Sequence, residues 1–349
     1  MSPSWPASDN AVSRLELKPL GRSEWDEFIS AHPDATLFHT SAWLDLCASV
    51  YNLRWAALGV WSESQLNGVF PLQERRLGPF QLGGSPLMQV IASTPFLGPL
   101  ISPEQIPEFL LALNHFLQVK KIDHIELSFP YLLSQIDEAV KLGYSPETCQ
   151  AVVLELQSQT CEQLWIKLSS SCRRAVRKTI KNAVEIVQAQ DGDFIDEYYT
   201  MCQEVYRNAG RKPHLSKEFY RAAWTHLYPE GKIVAFLAVN QGEILAGGIF
   251  LIYRDQAYYL SGASFDHGLS FRPNNLIQWR FIEWARKHGI HTYDMGGAAV
   301  PGITRFKLSF GGSLQAYTRI HKSRTLPARL GRSVYQILLP YIRKLQARW

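Results

Sequence analysis

Pro273-Asn-Asn-Leu-Ile-Gln-Trp-Arg-Phe-Ile-Glu-Trp-Ala-Arg-Lys-His-Gly-Ile-His-Thr-Tyr-Asp-Met-Gly-Gly297 reads as one helix followed by one strand. Proline suits the first helical position, where an N–H would have no partner anyway. Leu276, Ile277, Phe281, Trp284 and Ala285 recur at helical spacing and share a face. The basic Lys287-His288 and then Gly289 form a stop signal, because glycine adopts the left-handed conformation that closes a helix. Thr292-Tyr-Asp-Met is the strand, and Gly296-Gly297 lets the backbone approach a ligand closely. Upstream, Phe236-Leu-Ala-Val and Ile244-Leu-Ala-Gly-Gly-Ile-Phe-Leu-Ile flank the turn Asn240-Gln-Gly-Glu, a hairpin pattern. The module is hairpin, helix, strand.

The same order occurs earlier in the chain. Leu58-Gly-Val-Trp and Asn67-Gly-Val-Phe-Pro-Leu flank a polar turn, Ser62 to Gln65. Pro103 opens a helical stretch with Ile106, Phe109, Leu110, Leu113, Phe116 and Leu117 on one face, and the strand Ile125-Glu-Leu-Ser-Phe follows. The offset is 170 residues between the prolines and 168 between Glu126 and Asp294. A repeated module implies two related halves.

The chain has 349 residues, 46% hydrophobic and 19% charged, which suits packed cores rather than disorder. No run approaches the roughly 18 apolar residues of a spanning helix, and no signal-peptide pattern precedes Val12. Five scattered cysteines without a CxxC spacing suggest a reducing, cytoplasmic setting without disulfides. Charge is uneven. After Asp294 there is no Asp or Glu but ten Lys and Arg, against 26 basic and 31 acidic residues before that point. Such an end attracts polyanions.

Two basic segments follow from this. Ser169-Ser-Ser can cap a helix carrying Arg173, Arg174, Arg177, Lys178 and Lys181, with Val176, Ile180 and Val184 as its apolar stripe. It is either a solvated face or a surface for a phosphate-bearing substrate. In the segment 326–349, Val334, Ile337, Leu338, Tyr341, Ile342 and Leu345 recur at helical spacing among five cations, with Pro340 a kink. That helix either packs apolar face inward or rests on an anionic membrane at its inner face.

Gly242-Glu-Ile-Leu-Ala-Gly-Gly, Ala257-Tyr-Tyr-Leu-Ser-Gly-Ala-Ser, Tyr293-Asp-Met-Gly-Gly and Gly302-Ile-Thr-Arg-Phe-Lys-Leu-Ser-Phe-Gly-Gly312 together resemble the C-terminal GNAT-like domain of the Fem peptidyltransferase and related acetyltransferase-like family. Phe38-His-Thr-Ser-Ala-Trp43 and Thr94-Pro-Phe-Leu-Gly-Pro-Leu100 are weaker echoes, so the resemblance runs from about Leu15 to Lys322. It implies an α/β (α+β) fold of two tandem GNAT-like domains, 11–160 and 161–325, each a mixed twisted sheet flanked by helices, with 326–349 as a tail. It also implies acyl transfer to an amine from an acyl-CoA-like donor. The Fem branch uses aminoacyl-tRNA on a peptidoglycan precursor instead. Ser264 is followed by Phe-Asp-His-Gly-Leu-Ser-Phe-Arg, without the Gln/Arg-x-x-Gly-x-Gly/Ala phosphate loop of ordinary acetyltransferases.

Acyl transfer requires proton removal from the amine, stabilisation of an oxyanion and alignment of the reactants. Ile303, Phe306, Lys307 and Phe310 fall at helical spacing, which sets Lys307 among apolar groups where a cation stabilises an oxyanion well. The resemblance supports that role, since the lysine of the family's Phe-Lys motif is associated with acyl transfer. Asp294 is the candidate acceptor of the amine proton; it could instead bond turn amides or pair with Lys307. Gly296, Gly297 and Phe306 complete the substrate-binding set. Arg272, Asn274 and Asn275 at a helix start form a candidate anion site for a donor phosphate. Tyr258 and Tyr259 face opposite sides of a strand, so only one can line a donor groove, and Tyr259 is the candidate. His288 and His291 lack a nearby carboxylate and a third ligand, so no metal is expected. No Gly-x-Ser-x-Gly element occurs, which favours direct transfer. The rival functions are a non-enzymatic module holding an envelope intermediate and an RNA-binding protein using Arg173 to Lys181.

Overall fold

The computed structural model describes residues 14–87 and 97–334 together with Leu338. The first half runs β1 (Leu15–Pro19), α1 (Arg22–Ala31), α2 (Ser41–Tyr51), β2 (Arg54–Ser62), β3 (Gln65–Leu77), β4 (Phe80–Ser85), α3 (Ile106–Val119), β5 (His124–Phe129), α4 (Ile136–Lys141) and β6 (Ser145–Glu155). Two helices, α5 (Cys161–Lys167) and α6 (Ser170–Lys181), then lead into the second half. That half repeats the order as β7 (Glu185–Gln188), α7 (Ile195–Asn208), α8 (Lys217–Leu227), β8 (Ile233–Asn240), β9 (Glu243–Tyr253), β10 (Gln256–Ser264), α9 (Pro273–Lys287), β11 (Thr292–Gly297), α10 (Pro301–Leu308) and β12 (Ser313–Ser323). β5 and β11 begin 168 residues apart, and so do β6 and β12. Each half opens with a strand and two helices ahead of the hairpin at which the sequence pattern becomes readable.

All twelve described strands join one sheet in the order β1-β2-β3-β4-β5-β12-β6-β11-β10-β9-β8-β7. The pairs β4–β5 and β10–β11 are parallel and the others antiparallel. The two GNAT-like halves are therefore not two separate sheets. Each half's last strand is inserted into the other half: β12 pairs with β5 and β6, and β6 pairs with β12 and β11.

Strand alternation sorts the core onto two faces. On β8, Ile233, Ala235 and Leu237 face one side, and Val234, Phe236 and Ala238 face the other. The first side carries α1, α2, α7 and α8, where Trp25, Trp43 and Leu44 share a core with Tyr198, Phe219 and Trp224. The second carries α3 on the first half, and α6 and α9 on the second. Phe38 joins the halves directly, its ring 5.1 Å from Trp43 and 4.8 Å from Tyr258. The Phe38-to-Trp43 run is thus a joint between the halves.

Three local expectations change. Ile180 is exposed, while Thr179 is buried and donates to the carbonyls of Phe271 (2.7 Å) and Arg272 (3.1 Å), fastening α6 to the start of α9. Ile303 is also exposed, so the stripe predicted for α10 begins at Phe306. His291 does have a carboxylate neighbour, Asp255 at 2.7 Å. In the C-terminal segment, residues 335–337 and 339–349 lie outside the described residues, and with them Ile337, Pro340, Tyr341, Ile342 and Leu345.

Candidate active site

β10 and β11 run side by side only from Gln256↔Thr292 to Tyr258↔Asp294, although β10 continues to Ser264. The sheet therefore opens at Asp294. On its other side β11 pairs with β6 at Asp294↔Val153, bulges, and resumes at Gly297↔Ala151, with Ala298 N–H bonded to Gln150 O at 2.8 Å. Bulges re-aim side chains and are enriched beside active sites. Gly296 supplies the left-handed backbone this turn needs (φ +80°), and its N–H donates to Asp294 Oδ1. A β-carbon on Gly297 would meet nothing nearer than Gln150 O at 4.0 Å, so the space over it is open.

Lys307 enters this opening from α10. It is 7% exposed, the only buried residue of a helix whose Ile303 is 52% exposed. An aliphatic facing outward while a cation faces inward inverts the usual preference. The Lys307 ammonium donates to Gly297 O at 2.7 Å and, among the described residues, takes part in no ion pair, so further donor directions remain. Burial lowers its pKa to about 8, despite the pull of Asp294. Asp294 is 6% exposed, and burial raises its pKa to about 7 against the opposing Gly296 N–H and Lys307. Its Oδ2 is buried and, among the described residues, has no hydrogen-bond partner. A buried orphan acceptor costs on the order of 1–3 kcal/mol and calls for an explanation.

The other candidates are placed as follows. Phe306 packs edge-on against Phe310 at 5.1 Å beside Lys307. Tyr259 turns toward α9 and lies 5.6 Å from Phe250, while Tyr258 faces the opposite side of the sheet. Asn274 bonds Ser264 Oγ at 3.4 Å, and Asn275 bonds Cys172 Sγ at 3.6 Å. Arg272 is exposed in the left-handed conformation (φ +61°) at the start of α9. In the loop before it, the N–H groups of Gly268, Leu269, Phe271 and Arg272 bond carbonyls of the same loop, and Asp266 N–H bonds Glu204 Oε1 at 2.7 Å. A diphosphate cradle needs such donors free.

Of the basic surface set, Arg173 must be removed. It is half-buried and donates to the carbonyls of Ile166 (2.7 Å) and Leu168 at the end of α5. Arg177 is exposed and lies 5.5 Å over the Trp165 ring; Arg174 and Lys178 are exposed. Sequence reasoning missed the groups that support the site. Ser169 N–H bonds Ser309 O at 2.9 Å, and Gly311 (φ +88°) passes so close that a β-carbon would come within 2.9 Å of Lys167 Cβ, locking α10 to the α5–α6 junction. By the 168-residue repeat, Glu126 matches Asp294 and Ala139 matches Lys307. The first half thus keeps a carboxylate but no lysine, and Glu126 is instead held by His124 and Arg332. Among the described residues, no group of three His, Cys, Asp or Glu could hold a metal ion.

A doubled fold of this kind, with a lysine and an aspartate both buried at a splayed strand pair, has the architecture of a GNAT-type double-domain protein. Residues 167–308 match the acetyltransferase (GNAT) domain family. The lipid II:glycine glycyltransferase of Staphylococcus epidermidis (strain ATCC 12228 / FDA PCI 1200) is 39% identical over 57 residues, a stretch covering 16% of this chain and 14% of that relative. The FemX crystal structure superposes with a TM-score of 0.69 at 15% identity, over 93% of this chain and 99% of that one. A tandem GNAT protein from the clavulanic acid biosynthesis pathway gives 0.53 at 11% identity, over 88% and 98%. Residues 167–308 thus carry the likeness to a GNAT acetyltransferase domain, and over nearly its whole length the chain shares the doubled fold of FemX and the tandem GNAT protein.

Proposed function

We propose that the protein is an acyltransferase that moves an aminoacyl group from its ester on tRNA to the amine of a cell-envelope precursor. The observation that carries acyl transfer is the orphan Oδ2 of buried Asp294 beside a buried, unpaired Lys307. An amine entering where the sheet opens would give Oδ2 its missing donor. A carboxyl with a pKa near 7 is suited to take that proton at neutral pH. As the amine attacks the donor carbonyl, its N–H proton passes to Asp294 and the carbonyl oxygen becomes an oxyanion. Lys307, mostly cationic below its pKa of about 8, stabilises that charge in a low-dielectric setting. Collapse expels the donor's leaving oxygen or sulfur, and the proton returns to it.

The choice of donor rests on the loop before α9, where the N–H groups of Asp266, Gly268, Leu269, Phe271 and Arg272 are already bonded and so are not offered to the diphosphate of coenzyme A. The exposed Arg174, Arg177, Lys178 and Arg272 suit the backbone of a nucleic acid. The named activity of the staphylococcal relatives supports an envelope acceptor. Acyl-CoA is the second reading, favoured by the GNAT match over residues 167–308. The test is a transfer assay with labelled aminoacyl-tRNA or labelled acetyl-CoA, each offered lipid II. Label on lipid II from aminoacyl-tRNA alone, lost in Lys307→Ala, supports the proposal. Label from acetyl-CoA alone selects the second reading, and retained transfer in Lys307→Ala overturns the mechanism.

A further inference from the structure

After β12 the chain turns at Arg324-Thr325, and residues 326–334 are helical. One side of this helix is fastened to the first half. Ala328 is buried, a β-carbon on Gly331 would lie 3.4 Å from the Phe80 ring, and Arg332 reaches Glu126 Oε1 at 2.8 Å and His124 Nε2 at 2.6 Å. The other side carries Leu326, Leu330, Val334 and Leu338, every fourth residue, exposed by 68, 60, 52 and 45%. The β3–β4 turn beside Phe80 adds Leu77, 55% exposed. The same two elements also carry exposed cations: Arg75 and Arg76 on the hairpin and Arg329 on the helix. The Asp123 carboxylate at the start of the helix is occupied by Gln81 N–H at 2.9 Å and Thr325 Oγ1 at 3.5 Å.

We infer that this face docks on an anionic phospholipid bilayer. A contiguous aliphatic stripe left in water marks an interaction surface. An amphipathic helix with basic flanks is the form that lies in a lipid interface, its apolar side in the acyl boundary and its cations among headgroup phosphates. The stretch beyond Asp294 has no acidic residue to weaken that attraction, and its sequence adds Arg343, Lys344 and Arg348. A second copy fits poorly, because an isologous pairing would set Arg75, Arg76 and Arg329 against their own duplicates. No helix among the described residues is long and apolar enough to cross a membrane. The Arg332–Glu126 bond fixes which side faces outward, since Arg332 is committed to the body. None of this depends on acyl transfer.

The test is cosedimentation of the full chain with vesicles of equal phosphatidylglycerol and phosphatidylcholine, and with phosphatidylcholine alone. We expect binding to the anionic vesicles that weakens as salt rises. The triple substitution Leu326→Gln, Leu330→Gln, Val334→Gln should lower partitioning at least tenfold at an unchanged melting temperature. Arg75→Gln with Arg76→Gln and Arg329→Gln should erase the preference for anionic lipid. Absence of wild-type binding, or a triple variant that partitions like wild type, overturns the inference. So does a triple variant that loses only self-association in analytical ultracentrifugation, which would identify a second copy as the occupant.

Discussion

Lys307 and Asp294 are held where ionisation is costly, since burial shifts both toward their neutral forms, and shifted groups of this kind concentrate at functional sites. Replacing Lys307 by Ala should lower kcat/KM by about 10²–10³-fold, the usual effect of losing an oxyanion donor, while acceptor binding by calorimetry stays near wild type. The proposed mechanism needs Asp294 ionised and Lys307 protonated, so kcat/KM should rise through about pH 7 and fall through about pH 8. Asp294→Asn should abolish the rising limb; a limb unchanged in that variant would remove Asp294 from the mechanism. Stability moves the other way. The folded pKa of Asp294 lies above its ordinary 3.8, so the folded state binds the extra proton, and stability present below pH 4 is lost as pH rises through about 7. Asp294→Asn does not titrate, so its melting-temperature advantage over wild type should grow between pH 4 and pH 8. The bound is about 4 kcal/mol, taking about 1.4 kcal/mol per pKa unit. Lys307, lowered from 10.5, costs stability below about pH 8 and is relieved above it.

At the scale of elements, one side chain joins the halves where no pattern announces it. Arg254, at the turn between β9 and β10, donates to Ile29 O (3.0 Å), Ser30 O (2.7 Å) and His32 O (2.8 Å), closing the end of α1. Arg254→Ala should lower unfolding stability by about 1–2 kcal/mol, read as a shifted urea midpoint at constant slope. Lysine there should restore less than half, because it lacks the guanidinium fork. An unshifted midpoint in Arg254→Ala would show that the cap carries no stability. This contact spans more than 220 residues, and such links explain what the sequence reading missed. The hairpins β2–β3 and β8–β9, the helix α9 and the strand β11 were legible because their period and punctuation are local. The burial of Lys307 was legible only in part, since Ile303 of the stripe that placed it is exposed. Thr179 was not, since its burial depends on carbonyls of Phe271 and Arg272 far along the chain. Nor was the orphan on Asp294, which sits where β10 leaves β11 after Tyr258, a partnership set far along the chain. Arg173 looks like its basic neighbours in sequence, and only the carbonyls at the end of α5 set it apart.

At the scale of the whole molecule, the repeat raises the question of whether each half is a folding unit. Chain order puts a boundary near 160, but strand order does not respect it. Both neighbours of β6 come from the second half, and both neighbours of β12 from the first. Cutting after residue 160 would leave β6 with no partner strand and expose the edge of β5. The fragment beginning at 161 would lose both partners of β12 and bare the edge of β11 beside Asp294. Unpaired edges in a sheet are templates for aggregation. We therefore expect fragments 1–160 and 161–349, produced separately, to aggregate or to melt without a cooperative transition. Produced together, they should copurify as a one-to-one complex with a single transition, because β6 and β12 can then exchange places. If either fragment alone is monomeric and unfolds cooperatively, the halves are independent domains and the strand exchange is dispensable. That outcome would also free the candidate site from the first half, since Gly297, whose carbonyl holds Lys307, is anchored on Ala151 of β6.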